Sequence, residues 1–173
     1  TDAARLFRYC SIQSGHPDFF VRKAIGWALR QYAWTAPEEV RASVFSMKQR
    51  TEQVLQQKGR DWGEVKLGEG SIRDVEFVVQ YLQLAYGNQY PDLHGRTTLQ
   101  ILPRLANCHL LTHEEVRILA DGYTLMRTIE HYIQVMHYQQ TYTIPSDPDS
   151  LALLARRLGF ANTDALTLRY DEH

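Results

Sequence analysis

Apolar positions recur every three to four residues along most of this chain, and glycine and proline supply most of the breaks. The pattern predicts helices with short connections and almost no sheet. A first helix is expected from about Asp2 to Gln13, stopped at Gly15. A second, from about Asp18 to Trp34, is expected to bury Phe20, Ile25, Ala28, Leu29 and Tyr32, and the two make a helical hairpin. Thr35 and Pro37 open a third helix that runs to about Lys58, with Gly59 as its stop. A helix from Ser71 to Tyr86 closes at Gly87, a loop covers Asn88 to Gly95, and a shorter helix from Thr97 to Asn107 must accommodate Pro103. Thr112 and Glu115 have capping-box spacing for the longest helix, Glu114 to Gln140, whose apolar face holds Leu119, Tyr123, Met126, Ile129, Ile133 and Met136. After the turn IPSDPDS, Pro148 opens a helix to Gly159, and a last helix begins near Asn162. These elements imply an all-α antiparallel bundle or an irregular helical array.

One segment departs from this regularity. In VKLGEGSIRDVEF, Val65 to Phe77, a short β-branched strand meets a Gly-x-Gly turn and then a helix whose first turns carry Arg73, Asp74 and Glu76. Gly68 and Gly70 permit backbone angles closed to other residues, and Ser71 with Asp74 reads as an N-cap with a capping-box-like partner. Ile72, Val75, Val79 and Leu82 form the apolar stripe of that helix, and Glu76 lies on the same side, so a carboxylate is aimed inward.

Composition narrows the function classes. A hydrophobic fraction of 44% with 23% charged residues is ordinary for a globular chain of this length, and a net charge of -1 argues against a strongly basic nucleic-acid surface or a polybasic membrane anchor. Cys10 and Cys108 lie far apart and form no CxxC, which points to a reduced compartment. No run of about 18 apolar residues is present and the start lacks a secretory layout, so a cytoplasmic protein without a membrane partner is expected. The absence of an initial Met and an end inside a helical pattern lead us to expect a piece of a longer protein.

Two constellations could carry chemistry. The Gly-x-Gly turn, with Lys66, Arg73 and a helix start, invites an anion, but Glu69 and Asp74 oppose one. Neither GxxxxGKS nor GxGxxG is present, so phosphate contact and an ordinary turn both stand. The second constellation is Arg127, Glu130 and His131 in the longest helix. Glu76 and Glu130 with Arg73 and Arg127 suggest a partly buried ionic network between two helices, read as a structural clamp rather than a catalytic pair. Neither Glu76 nor Glu130 has a histidine three residues later, and the seven histidines show no HExxH, so no metal ligand is assigned. Spacing identifies no catalytic nucleophile or base. Trp27, Trp34 and Trp62 read as packing residues or stacking platforms.

From about Phe45 to Phe160 the chain resembles the helical region of glutamine synthetase adenylyltransferase, the GlnE family of bifunctional adenylylating and deadenylylating enzymes. The resemblance rests on SMKQRTEQVL, VKLGEGSIRDVEFVVQYLQLAYG, GRTTLQILPRLANCHLLT, LMRTIEHYIQVMHYQQTYTIP and LALLARRLGF, in the family's order. Uridylyltransferases of the PII protein share this kind of domain. The family pattern has two consecutive glycines before Ile-Arg, where this chain has Gly70 and Ser71. The Gly-Ser, Asp-x-Asp and Arg-x-Asp signatures of the catalytic domain are absent from these residues. The resemblance therefore implies a helical accessory module beside a nucleotidyltransferase domain that supplies ATP and Mg2+ chemistry. Glutamine synthetase is the implied substrate, and PII protein is a further partner that the resemblance suggests. On this reading Lys66, Gly68, Gly70, Ser71 and Arg73 form a nucleotide-proximal loop, and Asp74, Glu76, Arg127 and Glu130 hold its geometry.

HPDFFVRKAIGWALRQYAWTAPEEVR resembles AlkD-type DNA alkylation repair glycosylases, built from HEAT-like helical repeats. That resemblance implies a DNA-facing role for Trp27 and Arg30, and DNA as a partner in this alternative alone. The family's catalytic aspartate lies upstream of the matched stretch. The expected organisation is a HEAT-like hairpin over residues 1–44, followed by a GlnE-like domain over 45–173 that is a helical bundle with one short strand-like Gly turn. A non-catalytic helical scaffold is the third reading.

Overall fold

The computed structural model describes residues 2–13, 16–33, 35–59, 62–137 and 141–172, and the described residues form helices and no strand. In chain order these are α1 (Ala3–Gln13), α2 (Phe19–Ala33), α3 (Pro37–Gln57), α4 (Ile72–Tyr86), α5 (Thr98–Asn107), α6 (His113–His137), α7 (Pro148–Arg157) and α8 (Thr163–Asp171). The expected stops at Gly15 and Trp34, and residues 138–140 of the long helix, lie outside the described residues. A single 3-10 turn, Pro91–Leu93, interrupts the expected loop and buries Leu93 completely.

Helix ends follow side-chain chemistry. Thr112 and Glu115 form the expected capping box: the Glu115 N–H donates to Thr112 Oγ1 at 3.1 Å, and the Thr112 N–H donates to Glu115 Oε2 at 2.7 Å. Asp147 accepts from the Ser150 N–H at 2.9 Å ahead of Pro148, and Asn162 accepts from the Ala165 N–H at 2.8 Å.

The core gathers where α4, α5 and α6 pack on one another and α7 and α8 close one side. Ile72, Val75 and Val79 of α4 meet Ile101, Leu102 and Leu105 of α5 and Met126, Ile129 and Ile133 of α6, with Leu154 and Leu166 beneath. The expected apolar stripes of α4 and α6 are the buried ones. Full burial of each such side chain contributes about 1.5–3 kcal/mol.

α1 and α2 form the expected hairpin, and it rests on α3, with α2 and α3 both touching α4. One expected core residue is misplaced: Phe20 is 74% exposed while Leu29 is 7% exposed. At roughly 100° per residue, nine positions set Phe20 on the face opposite Leu29, whereas Trp27 falls on the Phe20 side. Trp27 is accordingly 66% exposed. The expected junction at residues 44–45 falls within α3, which is unbroken there.

Ile129→Ala is expected to cost about 2–5 kcal/mol of unfolding free energy, because a fully buried branched side chain leaves a cavity. On the same helix, Ile118→Ala is expected to cost about 0.5 kcal/mol or less, since Ile118 is 48% exposed. Urea denaturation of the two variants checks the contrast.

Candidate functional site

The strand expected at Val65 is a single antiparallel bridge, Glu64 to Thr143. The Val65 N–H donates to Tyr142 O and the Ile144 N–H to Gly63 O, both at 2.9 Å, so residues 141–144 run as a strap beside the loop. Pairing stops there because the chain turns at once: the Gly68 N–H donates back to Glu64 O at 3.2 Å. Of the two loop glycines, Gly70 adopts a φ of 67°, the left-handed region that favours glycine, whereas Gly68 is not among the positive-φ glycines.

Ser71 occupies the N-cap position of α4, but its side chain does not cap. The Ser71 hydroxyl instead donates to Lys66 O at 2.8 Å and closes the loop on itself. Asp74 reaches back one residue further than a capping box would, accepting from the Gly70 N–H at 3.0 Å. The Ile72 and Arg73 N–H groups donate to Val65 O and Lys66 O, so the first turn of α4 satisfies its donors on the loop itself.

Of the four residues expected to form an ionic network between α4 and α6, Arg127 and Glu130 pair, while Arg73 and Glu76 lie outside that pair. Glu130 on α6, 6% exposed, binds Arg127 at 2.6 Å through Oε2 and Lys66 at 3.3 Å through Oε1. Lys66 also lies over the Tyr142 ring, 3.9 Å from its centroid. Glu76 instead accepts from the Tyr123 hydroxyl at 3.1 Å. Burial, with the Glu76 charge adding to it, pushes that phenol above its ordinary range. Arg73 is exposed and leans over Phe77 of its own helix, outside the network.

Asp74 pairs with Lys48 of α3 at 3.0 Å, and Lys48 also holds Glu52 at 2.9 Å. Burial pushes the Asp74 carboxyl above its usual value, and Lys48 and the Gly70 amide only partly offset this. Burial would push the Lys48 ammonium down, but its pairing with the Glu52 and Asp74 carboxylates outweighs this and holds it above its ordinary range. The asymmetry follows from partner number, since Lys48 draws on two carboxylates and Asp74 on one lysine. Lys48 and Tyr123 are the residues that sequence reasoning missed. Tyr123 carries a signal for this, since it is a polar-tipped residue on the buried stripe of α6.

An open polar hollow of about 470 Å³ lies against this cluster, lined by Lys66, Arg127, Glu130, His131 and Gln134. Trp62, half exposed, donates from Nε1 to Asp171 at 2.9 Å and packs on Tyr170. Burial pushes the Tyr170 phenol up to about 12. Among the described residues no three His, Cys, Asp or Glu side chains converge as a metal site, and no helix is long and apolar enough to cross a membrane. The Arg30 side chain lies outside the described residues.

A family model described as GlnD PII-uridylyltransferase matches residues 39–173, and a second, described as DNA alkylation repair enzyme, matches residues 1–57. The bifunctional glutamine synthetase adenylyltransferase/adenylyl-removing enzyme of Mesorhizobium japonicum is 40% identical over 103 residues, 60% of this chain and 10% of that protein. Its namesake from Brucella melitensis is 39% identical over 98 residues, 57% of this chain and 10% of that protein. The one from Burkholderia mallei is 39% identical over 110 residues, 64% of this chain and 12% of that protein. The chain thus spans about a tenth of the length of these curated relatives.

A raised carboxyl pKa favours the folded state while the group is protonated. The Asp74 contribution is therefore fully present below its usual value of 3.8 and is lost as pH rises through the higher folded value. Asp74→Asn removes that titration. The stability difference between native chain and variant is expected to favour the native chain most at pH 3 and to shrink by pH 6, measured by denaturation at each pH.

Proposed function

The chain belongs to the GlnD PII-uridylyltransferase family, and on that premise we propose that it is the helical module of a glutamine synthetase adenylyltransferase-like nucleotidyltransferase. Adenylyl rather than uridylyl chemistry is favoured by the names of the relatives that are about 40% identical to it. In this reading the module supports adenylylation or deadenylylation of glutamine synthetase in the cytoplasm, with PII protein as a further partner. The observation that carries the reading is the braced loop: Val65 through Asp74 is tied to α6, to the strap and to α3, and carries two cationic side chains.

Lys66, Gly68, Gly70, Ser71 and Arg73 form the edge nearest the nucleotide, and Asp74, Glu76, Arg127 and Glu130 keep it in place. Residues 1–44 act as a hairpin attachment and residues 45–173 as the module proper, with α3 common to both. ATP and Mg2+ belong to the nucleotidyltransferase domain in this reading. Nothing among the described residues fits the metal, because no acidic cluster converges.

A second reading is favoured by the exposure of Trp27, 66%, inside the segment that matches the DNA alkylation repair model. There α2 would lay Trp27, with Arg30, against a DNA duplex. A non-catalytic scaffold is what remains if neither activity is found.

In a protein joining this chain to a nucleotidyltransferase domain, Arg73→Ala is expected to lower adenylyl transfer to glutamine synthetase at least tenfold with an unchanged melting temperature. An unchanged rate would remove the loop assignment. For the second reading, affinity for duplex DNA should fall steeply between about 50 and 200 mM salt. No binding at the lower concentration ends that reading.

A further inference from the structure

Glu130 has both carboxylate oxygens occupied, Oε1 by Lys66 and Oε2 by Arg127. Two cations thus converge on one anion, and a second buried carboxylate, Glu64, accepts from the Lys66 N–H at 3.3 Å behind them. The Lys66 and Arg127 side chains remain 33% and 47% exposed, whereas the Glu130 side chain is 8% exposed. The negative charge is therefore sunk and the positive charge faces outward, into the hollow that His131 and Gln134 complete. An ammonium and a guanidinium spend only part of their hydrogen-bonding capacity on one carboxylate, and the remaining N–H groups suit the tetrahedral oxygens of a phosphate.

A second hollow, of about 420 Å³, continues along α6 and shares Arg127 and His131 with the first. Leu99, Tyr123, Thr128 and Tyr132 line it, and its surface is mostly apolar. Tyr123 to Gln134 on α6 spans roughly 16 Å at 1.5 Å per residue. A cationic recess thus adjoins an aromatic and aliphatic shelf, with Arg127 between them. Each half alone is unremarkable, but their junction selects a ligand with a phosphate at one end and a flat ring at the other.

We infer that the paired hollows along α6 bind a phosphate monoester bearing a planar aromatic group. The phosphate sits between Lys66 and Arg127, and the ring lies against Leu99, Tyr123 and Tyr132. A nucleoside monophosphate and a phosphorylated tyrosine share this chemistry. The inference adds ligand contact to Lys66 and Arg127, whose role in the reading above is to position the loop, and it rests on that reading only for its place in the reaction.

The test is titration of the whole chain, observed by heteronuclear NMR, with 5′-AMP, O-phosphotyrosine, inorganic phosphate and adenosine. At least one of the two ring-bearing phosphates is expected to bind fivefold or more tightly than inorganic phosphate and than adenosine, with shifts at His131 and Tyr132, and the tighter of the two identifies the source. Lys66→Gln and Arg127→Gln should each raise its Kd at least fivefold with the fold retained by circular dichroism, while Lys66→Arg stays within twofold of the native chain. Ring-bearing phosphates that bind no better than inorganic phosphate would overturn the inference, as would a Kd unmoved by both glutamine variants. Because no catalytic domain takes part, failure here leaves the transfer reading standing, and loss of transfer leaves the binding result standing.

Discussion

A carboxylate inside an apolar helix face must be neutralised, and Glu130 imposes that requirement on everything around it. Ile129 and Ile133 beside it are fully buried, and Glu130 is itself 6% exposed. An unpaired charge there would cost several kcal/mol. Arg127, one turn earlier on the same helix, supplies half of the remedy locally. Lys66 supplies the rest from 64 residues away, so the glycine loop has to lie against α6. Contrast the fan of Arg117 with Glu114 and Asp121, which is exposed, confined to one helix, and fixes no tertiary relation.

Once Lys66 is committed to Glu130, the remaining contacts of the loop follow in sequence. Its ammonium over the Tyr142 ring draws in the strap, and the backbone pairing of Val65 with Tyr142 and of Ile144 with Gly63 secures it. Lys48 reaches Asp74 from the other side, and Asp74 in turn holds the Gly70 amide where φ is 67°. A turn braced on α3, α6 and the strap has little freedom left to lose when a ligand or a neighbouring domain arrives. Ser71 contributes a hydroxyl that ties back to Lys66 O, adding a brace from within the loop.

The helices were legible because burial and period agree. Ile72, Val75 and Val79, and Met126, Ile129 and Ile133, recur on single faces and are the faces buried. Phe20 failed because grouping it with Leu29 ignored the half-turn of phase between them. The site was legible only where partners are close in sequence: Arg127 and Glu130 are three apart and pair. Arg73 and Glu76 share that spacing and do not pair, since Glu76 is taken by Tyr123 across 47 residues. Lys66 to Glu130 and Lys48 to Asp74 are likewise contacts between distant segments, which periodicity along one helix carries no information about. The bridge at Glu64 was overread as a strand because the irregular strap that pairs with it has no pattern of its own.

α3 belongs to both halves of the molecule, and its contacts say what that does. Arg50 donates to Ser11 of α1 at 3.2 Å, and Glu38 accepts from Tyr81 of α4 at 3.0 Å. Lys48, on the same unbroken helix, holds Asp74 at the head of α4. Both family similarities run through this helix, overlapping at residues 39–57. An α-helix transmits displacement along its axis because every turn is hydrogen-bonded to the next. One continuous element thus joins the Arg50 contact with α1 to the Lys48–Asp74 ion pair beside the Gly70 turn. The hairpin therefore meets α4 by two routes, directly through α2 and through α3, whose Lys48 ends at the Asp74 carboxylate that holds the Gly70 turn.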